Sequence, residues 1–241
     1  RRGVLDICRG VAAVPGVVEL CLSTNGVRLP ALADGLRSAG VDRLNVSLDT
    51  LRPDRYAYIT RVGRLEDVFA GLRAAEAAGF TGTKLNVVLM KGFNDDEIGD
   101  FVRLTEDRDI EVRFIELMPI GQGGAAEYLP CGAVLEACPD LEPVDLGGVA
   151  RRYRRPGARG LVGLIQPMSC RFCDRCDRIR VTADGMLKPC LHSAGEIPLR
   201  CLHGLDLERA IRAGIAAKPE RHHMAETGRS EAERDMNRIG G

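Results

Sequence analysis

The sequence predicts an α/β fold built on a parallel sheet with helices outside it, and three observations carry that expectation. From residue 17 to 116, strand-length apolar runs alternate with amphipathic helical patterns, a βα unit repeated four times. The runs are rich in Val, Ile and Leu and too continuous for antiparallel strands with one wet face, so they read as buried parallel strands. The 241 residues suffice for one large domain, or for one domain with a smaller appendage. Such alternation gives a doubly wound or barrel-like sheet, with ligands at the carboxyl ends of the strands.

The elements follow in order. Residues 1–14, RRGVLDICRGVAAV, read as a helix already under way, with no export signal and no initiating Met, so the chain reads as beginning inside a longer protein. Strands are expected at 17–23 (VVELCLS), 43–48 (RLNVSL), 83–90 (TKLNVVLM) and 111–117 (EVRFIEL). The helical segment at 30–40 follows the first. The one at 64–79 places Leu65, Val68, Phe69 and Leu72 on one face and ends at Gly79. The third, at 94–107, opens with Asn94 and Glu97 in a capping-box pattern and presents Ile98, Phe101, Val102 and Leu104 as its apolar face. Small polar or loop-forming groups mark the strand ends at 23–26, 47–49 and 116–119.

After Gly121 the alternation stops. A glycine-rich connector (121–130) leads to a short helical piece with turns (131–150) and to short strands within 150–190, including a hairpin that turns at Asp184-Gly185. Residues 219–241 read as a polar tail ending in two glycines. The expected division falls where the alternation stops, into 1–121 and 122–241.

Composition excludes several function classes. Hydrophobic residues are 45% and charged residues 28%, without an apolar run long enough to span a membrane. Lys plus Arg and Asp plus Glu are both 34, which removes any argument from bulk charge for nucleic-acid or membrane-surface partners. Trp is absent and aromatics are 4%, which weakens base stacking as a mode of binding. Nine cysteines, an odd count without an export signal, point to a reducing, cytoplasmic setting with thiols kept for packing or metal.

The strongest chemical signal is Cys170-Arg-Phe-Cys173-Asp-Arg-Cys176 with Cys190 returning across the expected hairpin. Two-residue spacing lets successive thiolates converge on one centre. All four would close a tetrahedral zinc site; Cys173, Cys176 and Cys190 alone would hold three irons of a [4Fe–4S] cluster and leave the fourth open to a substrate atom. Spacing leaves both alternatives standing. Arg178 and Arg180 follow on a strand-like run, two forks suited to a phosphate chain or a purine edge. Lys84 opens one strand and Arg113 sits inside another, where a cation is costly unless paired. His222 and His223 in the tail read as solvated.

STNG at 23–26, NVSLD at 45–49, K-x-NVV-x-x-KG-x-ND at 84–95, VRFIE-x-M at 112–118, C-x2-C-x13-C at 173–190 with R-x-R inside it, and MN-x-IGG at 236–241 occur in that order. Together they resemble the GTP 3′,8-cyclase family, the molybdenum cofactor biosynthesis protein A enzymes of the radical S-adenosylmethionine superfamily, and the resemblance runs from Arg1 to Gly241. It implies an incomplete (β/α) radical-SAM barrel with parallel strands and a C-terminal iron–sulfur segment. It implies that Cys173, Cys176 and Cys190 hold a [4Fe–4S] cluster whose open iron takes the guanine of GTP. Ser23, Lys84, Arg113, Arg178, Ile179 and Arg180 would hold GTP, with Ser23 standing where the family usually has Thr. Ser47 and Met118 would contact S-adenosylmethionine, and Gly240 and Gly241 would thread into the active site, where only a side-chain-free tail fits closely. The resemblance further implies a homodimer, with cyclic pyranopterin monophosphate synthase acting on the product.

Two departures stand out. The family's C-x3-C-x2-C loop, which holds the cluster that reductively cleaves S-adenosylmethionine, and the following GGEP strand are not among these 241 residues. The chain as written is therefore expected to be catalytically incompetent, a fragment of a longer enzyme. Cys170 is the second, since a fourth thiolate would close the open iron. The competing reading is a non-catalytic nucleotide-binding protein with a structural zinc site.

Overall fold

Residues 2–121 and 127–239 are described by a computed structural model, in which the βα alternation forms as α1 (Val4–Ala12), β1 (Cys21–Thr24), α2 (Leu29–Ser38), β2 (Arg43–Ser47), α3 (Pro53–Thr60), α4 (Leu65–Ala77), β3 (Thr83–Leu89), α5 (Ile98–Arg103) and β4 (Ile110–Glu116). Then come α6 (Gly132–Ala137), β5 (Glu142–Val144), β6 (Arg151–Arg154) and β7 (Leu161–Ile165). These strands make one seven-stranded sheet in the order β1-β2-β3-β4-β7-β6-β5. The pairs β1–β2, β2–β3 and β4–β7 are parallel, while β7–β6 and β6–β5 are antiparallel. The fold class is the one expected, α/β with a mostly parallel sheet.

By compactness the described chain divides into a first unit of residues 1–115 with 131–165 and a second of 116–130 with 166–241. Strands β6 and β7, which follow residue 121 in sequence, are thus part of the first unit's sheet.

One face of that sheet supplies the core. Leu44 and Val46 of β2, Leu85, Val87 and Leu89 of β3, Val112 and Phe114 of β4, and Val162 and Leu164 of β7 are all buried, together with Leu36, Val68, Phe101 and Val102 from the helices. Phe101 meets Phe114 edge-on at 6.1 Å between centroids. Each such side chain contributes roughly 1.5–3 kcal/mol by leaving water. Helix α4 lies close because of two glycines. A Cβ on Gly71 would stand 2.2 Å from the carbonyl oxygen of Gly26, and Gly26 itself has φ +83° in the STNG turn.

Three expectations are corrected by the first unit. The strand expected from residue 17 begins only at Cys21, because β1 is an edge strand paired with β2 alone and β2 starts at Arg43. The expected capping box does not form. Asn94 instead accepts from the Met90 N–H and donates to the carbonyls of Asp49 and Val88, while buried Glu97 accepts from Thr50, the Leu51 N–H and Arg55. A 3-10 turn, Asp95–Glu97, therefore precedes α5. Finally, the runs that read as continuously apolar carry polar residues on one face, Asn45 and Ser47 on β2, Lys84 and Asn86 on β3, and Glu111 and Arg113 on β4.

The second unit contains a 3-10 turn at Cys173–Arg175, β8 (Arg180–Val181), β9 (Met186–Lys188) and β10 (Ile197–Pro198), then α7 (Gly204–Ala216), α8 (Met224–Thr227) and α9 (Met236–Ile239). Its antiparallel sheet runs β10-β9-β8, and the expected hairpin turns at Gly185, φ +83°. The tail is less polar in structure than in sequence, since Met224 and Ile239 are buried, and so is His222, which was expected to be solvated. No described helix is long and apolar enough to cross a membrane.

Candidate functional site

The polar face of the first unit's sheet gathers four of the residues singled out from sequence. In parallel strands, register partners lie side by side on one face. Ser23, Asn45 and Lys84 form one such row across β1, β2 and β3, and Ser47 pairs with Asn86 in the next. Arg113 joins them through Glu111, whose carboxylate lies 3.7 Å from the Lys84 Nζ and accepts from the Arg113 Nε at 2.8 Å. Arg152, on β6, donates to the same carboxylate at 3.1 Å. Burial draws the Arg113 guanidinium below its ordinary pKa, Glu111 opposes that, and the positive neighbours Arg152 and Arg43 add to it.

Sequence reasoning missed Glu111, Asn45, Asn86 and Arg152. The signal was present for the first three: 43, 45 and 47, 84 and 86, and 111 and 113 are polar at period two, a second face inside runs that look continuous. The Oδ1 atoms of Asn45 and Asn86 and the Arg43 Nε are buried without a hydrogen-bond partner. Buried polar atoms without partners are costly, so a row of them beside Ser47 fits a polar ligand lying along this face. Asp49, which follows Ser47 on the same motif, accepts from the Val88 N–H, and burial pushes its carboxyl up to about 6 against that hydrogen bond.

In the second unit, β8 and β9 pair Arg180 with Lys188. Cys190 follows β9 by two residues, on the returning arm of the expected hairpin. Arg180 is drawn below its ordinary pKa by burial and by Arg178, and the thiols of Cys176 and Cys190 both act on it in the opposite sense. Cys176 and Cys190 therefore stand within electrostatic reach of one guanidinium. Cys173 lies on the 3-10 turn, and all three thiols are free and half-buried. Among the described residues no three His, Cys, Asp or Glu side chains are gathered into a finished metal site. The donor chemistry nonetheless fits an iron–sulfur cluster, with three half-buried thiols on a tight turn and a facing strand. Arg178 and Ile179 are exposed and Arg180 half-buried.

Two more features bound this region. Glu116, buried at the end of β4, accepts from the backbone N–H groups of Met168 and Ser169 at 2.9 Å and from the Ser169 hydroxyl, which fixes the loop leading into Cys170. Met118, half-buried, follows two residues later. A cavity of about 270 Å³ is lined by Cys190, His192, His222 and Arg229 among others, and the two imidazole rings meet at 4.9 Å. Burial, with His222 and Arg180 nearby, lowers His192 to about 4. Gly240 and Gly241 lie outside the described residues.

Comparison with known proteins shows the family. Residues 2–105 match the Radical SAM superfamily, and residues 110–224 match the family described as Molybdenum Cofactor Synthesis C. The chain is 47% identical to the GTP 3′,8-cyclase of Moorella thermoacetica, over the whole chain and 78% of that protein's length. It is 46% identical to the GTP 3′,8-cyclase of Peptoclostridium acidaminophilum, covering 76% of it, and 44% identical to that of Alkaliphilus metalliredigens, covering 78%.

Proposed function

Because the chain belongs to the GTP 3′,8-cyclase family, a radical S-adenosylmethionine family of molybdenum cofactor biosynthesis, we propose that its residues bind GTP and S-adenosylmethionine for conversion of GTP to 3′,8-cyclo-7,8-dihydro-GTP. The observation that carries this reading is the polar sheet face, where Ser23, Ser47, Lys84 and Arg113 share one surface with buried acceptors that have no partner.

On that face Lys84 and Arg113 bind the substrate's phosphates as cations, and the Ser23 hydroxyl supplies a neutral hydrogen bond. Ser47, with the unpartnered Asn45 and Asn86 oxygens beside it, holds the hydroxyl and ammonium donors of S-adenosylmethionine, and Met118 of the second unit is a further residue for that cofactor. In the second unit Arg178, Ile179 and Arg180 hold GTP, and Cys173, Cys176 and Cys190 hold a [4Fe–4S] cluster. Bound there, the cluster supplies an open iron as a Lewis acid for guanine, and S-adenosylmethionine supplies the hydrogen-abstracting chemistry. Gly240 and Gly241, lacking side chains, enter the site beside the substrate. The enzyme acts as a homodimer and passes its product to cyclic pyranopterin monophosphate synthase.

These 241 residues contain no C-x3-C-x2-C loop, so the polypeptide by itself has no electron donor for S-adenosylmethionine. With reductant, S-adenosylmethionine and GTP, chromatography with mass detection should find neither 5′-deoxyadenosine nor cyclised nucleotide. The same chain preceded by such a segment should give both. Failure of the extended chain to cyclise GTP would contradict the proposed activity, and 5′-deoxyadenosine from the short chain would contradict its incompetence.

A further inference from the structure

We propose that Glu111 and Arg152 complete the first unit's anion site: Glu111 is the positioning residue that sets Lys84, Arg113 and Arg152 side by side, and Arg152 is a third cation for the triphosphate of the substrate. The inference rests on the reading that this chain binds GTP. Glu111 accepts from Arg113 through both oxygens, Nε at 2.8 Å and Nη2 at 3.3 Å, and from the Arg152 Nε at 3.1 Å. The Lys84 Nζ stands at 3.7 Å, an ion-pair distance that leaves its N–H donors uncommitted to Glu111. All four side chains are between 7% and 15% exposed.

One cation would neutralise one carboxylate. Three cations around it leave a local charge of +2 in a place largely removed from water, an arrangement that is unfavourable unless an anion completes it. The fold makes room for the surplus. Gly163 of β7 is the neighbour of Arg113 across the sheet, and a Cβ there would stand 2.9 Å from the Glu111 Oε1 and 3.2 Å from the Arg113 Cγ. Arg152 is also fixed at its other end, its Nη1 donating to the Gly147 carbonyl at 2.7 Å. Both arginine forks thus have set orientations before any ligand arrives, the condition for a cheap, directional grip on phosphate oxygens.

The test is calorimetric titration of the anaerobically reconstituted chain with GTP, with inorganic tripolyphosphate and guanosine as separate probes. Glu111→Gln adds a positive charge to the cluster, so a site governed by charge alone would bind GTP more tightly. Positioning predicts the opposite, affinity for GTP and tripolyphosphate weakened about tenfold, guanosine unchanged, and a melting temperature within a few degrees of wild type. Arg152→Gln, which leaves the Glu111–Arg113 pair intact, should give the same pattern and decides the matter if Glu111→Gln does not fold. GTP binding unchanged or tightened in Glu111→Gln, or a loss shared equally by guanosine, would overturn the inference. A wild-type chain that bound neither GTP nor tripolyphosphate would overturn the GTP reading and this inference with it, whereas wild-type binding with unaffected variants removes this inference alone.

Discussion

The first unit is held by apolar packing, whereas the second rests in part on buried ion pairs, and the two kinds of order respond to different changes. In the first, a continuous layer of Leu, Val and Phe from four strands is excluded from water against helices, and the polar residues stand on the opposite face. In the second, the fully buried groups include Lys188, whose ammonium donates to the Ser193 carbonyl and to Glu196, and Glu196 in turn holds Arg234 of the C-terminal segment through two bonds of 2.7 Å. Its three strands are short, and on the proposed reading the loop from Cys170 to Cys190 gains order from the cluster its thiols would hold.

The largest expected difference is therefore in metal dependence. The reconstituted chain should bind about four irons with broad visible absorbance, and Cys173→Ala should abolish that uptake. Hydrogen exchange should then rise across 170–190 and stay unchanged across 83–116. Stoichiometric zinc without iron would break the comparison in favour of a structural site that includes Cys170. Next comes the core. Phe114→Ala should cost the first unit about 3–5 kcal/mol in denaturant titration while iron per folded molecule stays the same. A parallel loss of iron from the folded fraction would show that the two kinds of order are not separable.

A pH effect of similar size is expected at Asp49. Its carboxyl is raised from 3.8 to about 6 in the folded chain, so between those values the folded state holds a proton that the unfolded state has released. Stability from this group therefore falls as pH rises through that window, by about 3 kcal/mol, and levels off above it. Asp49→Asn, able to keep the bond from Val88, should flatten this part of the stability curve; an unchanged slope would remove Asp49 as its source. A smaller effect belongs to the ionic latch. Glu196→Gln should destabilise the second unit by about 1.5–3 kcal/mol, read as faster exchange in 186–198 and 230–239. Cys170→Ser should leave iron content unchanged if three thiolates suffice.

The apolar half of this fold was legible from its sequence because burial repeats at the period of the helix or strand. Leu65, Val68 and Leu72 are buried as their spacing requires, and Gly79 ends α4 with φ +81°. The capping box at Asn94 failed because its two side chains found better-buried partners about 40 residues away in sequence, which no local pattern reports. Among site residues, the cysteine spacing and the R-x-R run announced themselves. Glu111 shares a period-two polar pattern with Arg113, but that pattern does not report its partners Lys84 and Arg152, which come to it from other strands. His222 was misread for the same reason, its burial depending on His192.

The central claim is that this chain's residues are built to hold GTP. Equilibrium calorimetry of the anaerobically reconstituted protein with GTP and with ATP tests it most directly, because the two share a triphosphate and differ in the base offered to the cluster. The account predicts measurable binding of both, with GTP tighter only while the cluster is present and the preference lost in Cys190→Ala. Equal affinity for GTP and ATP in the cluster-loaded protein would contradict it.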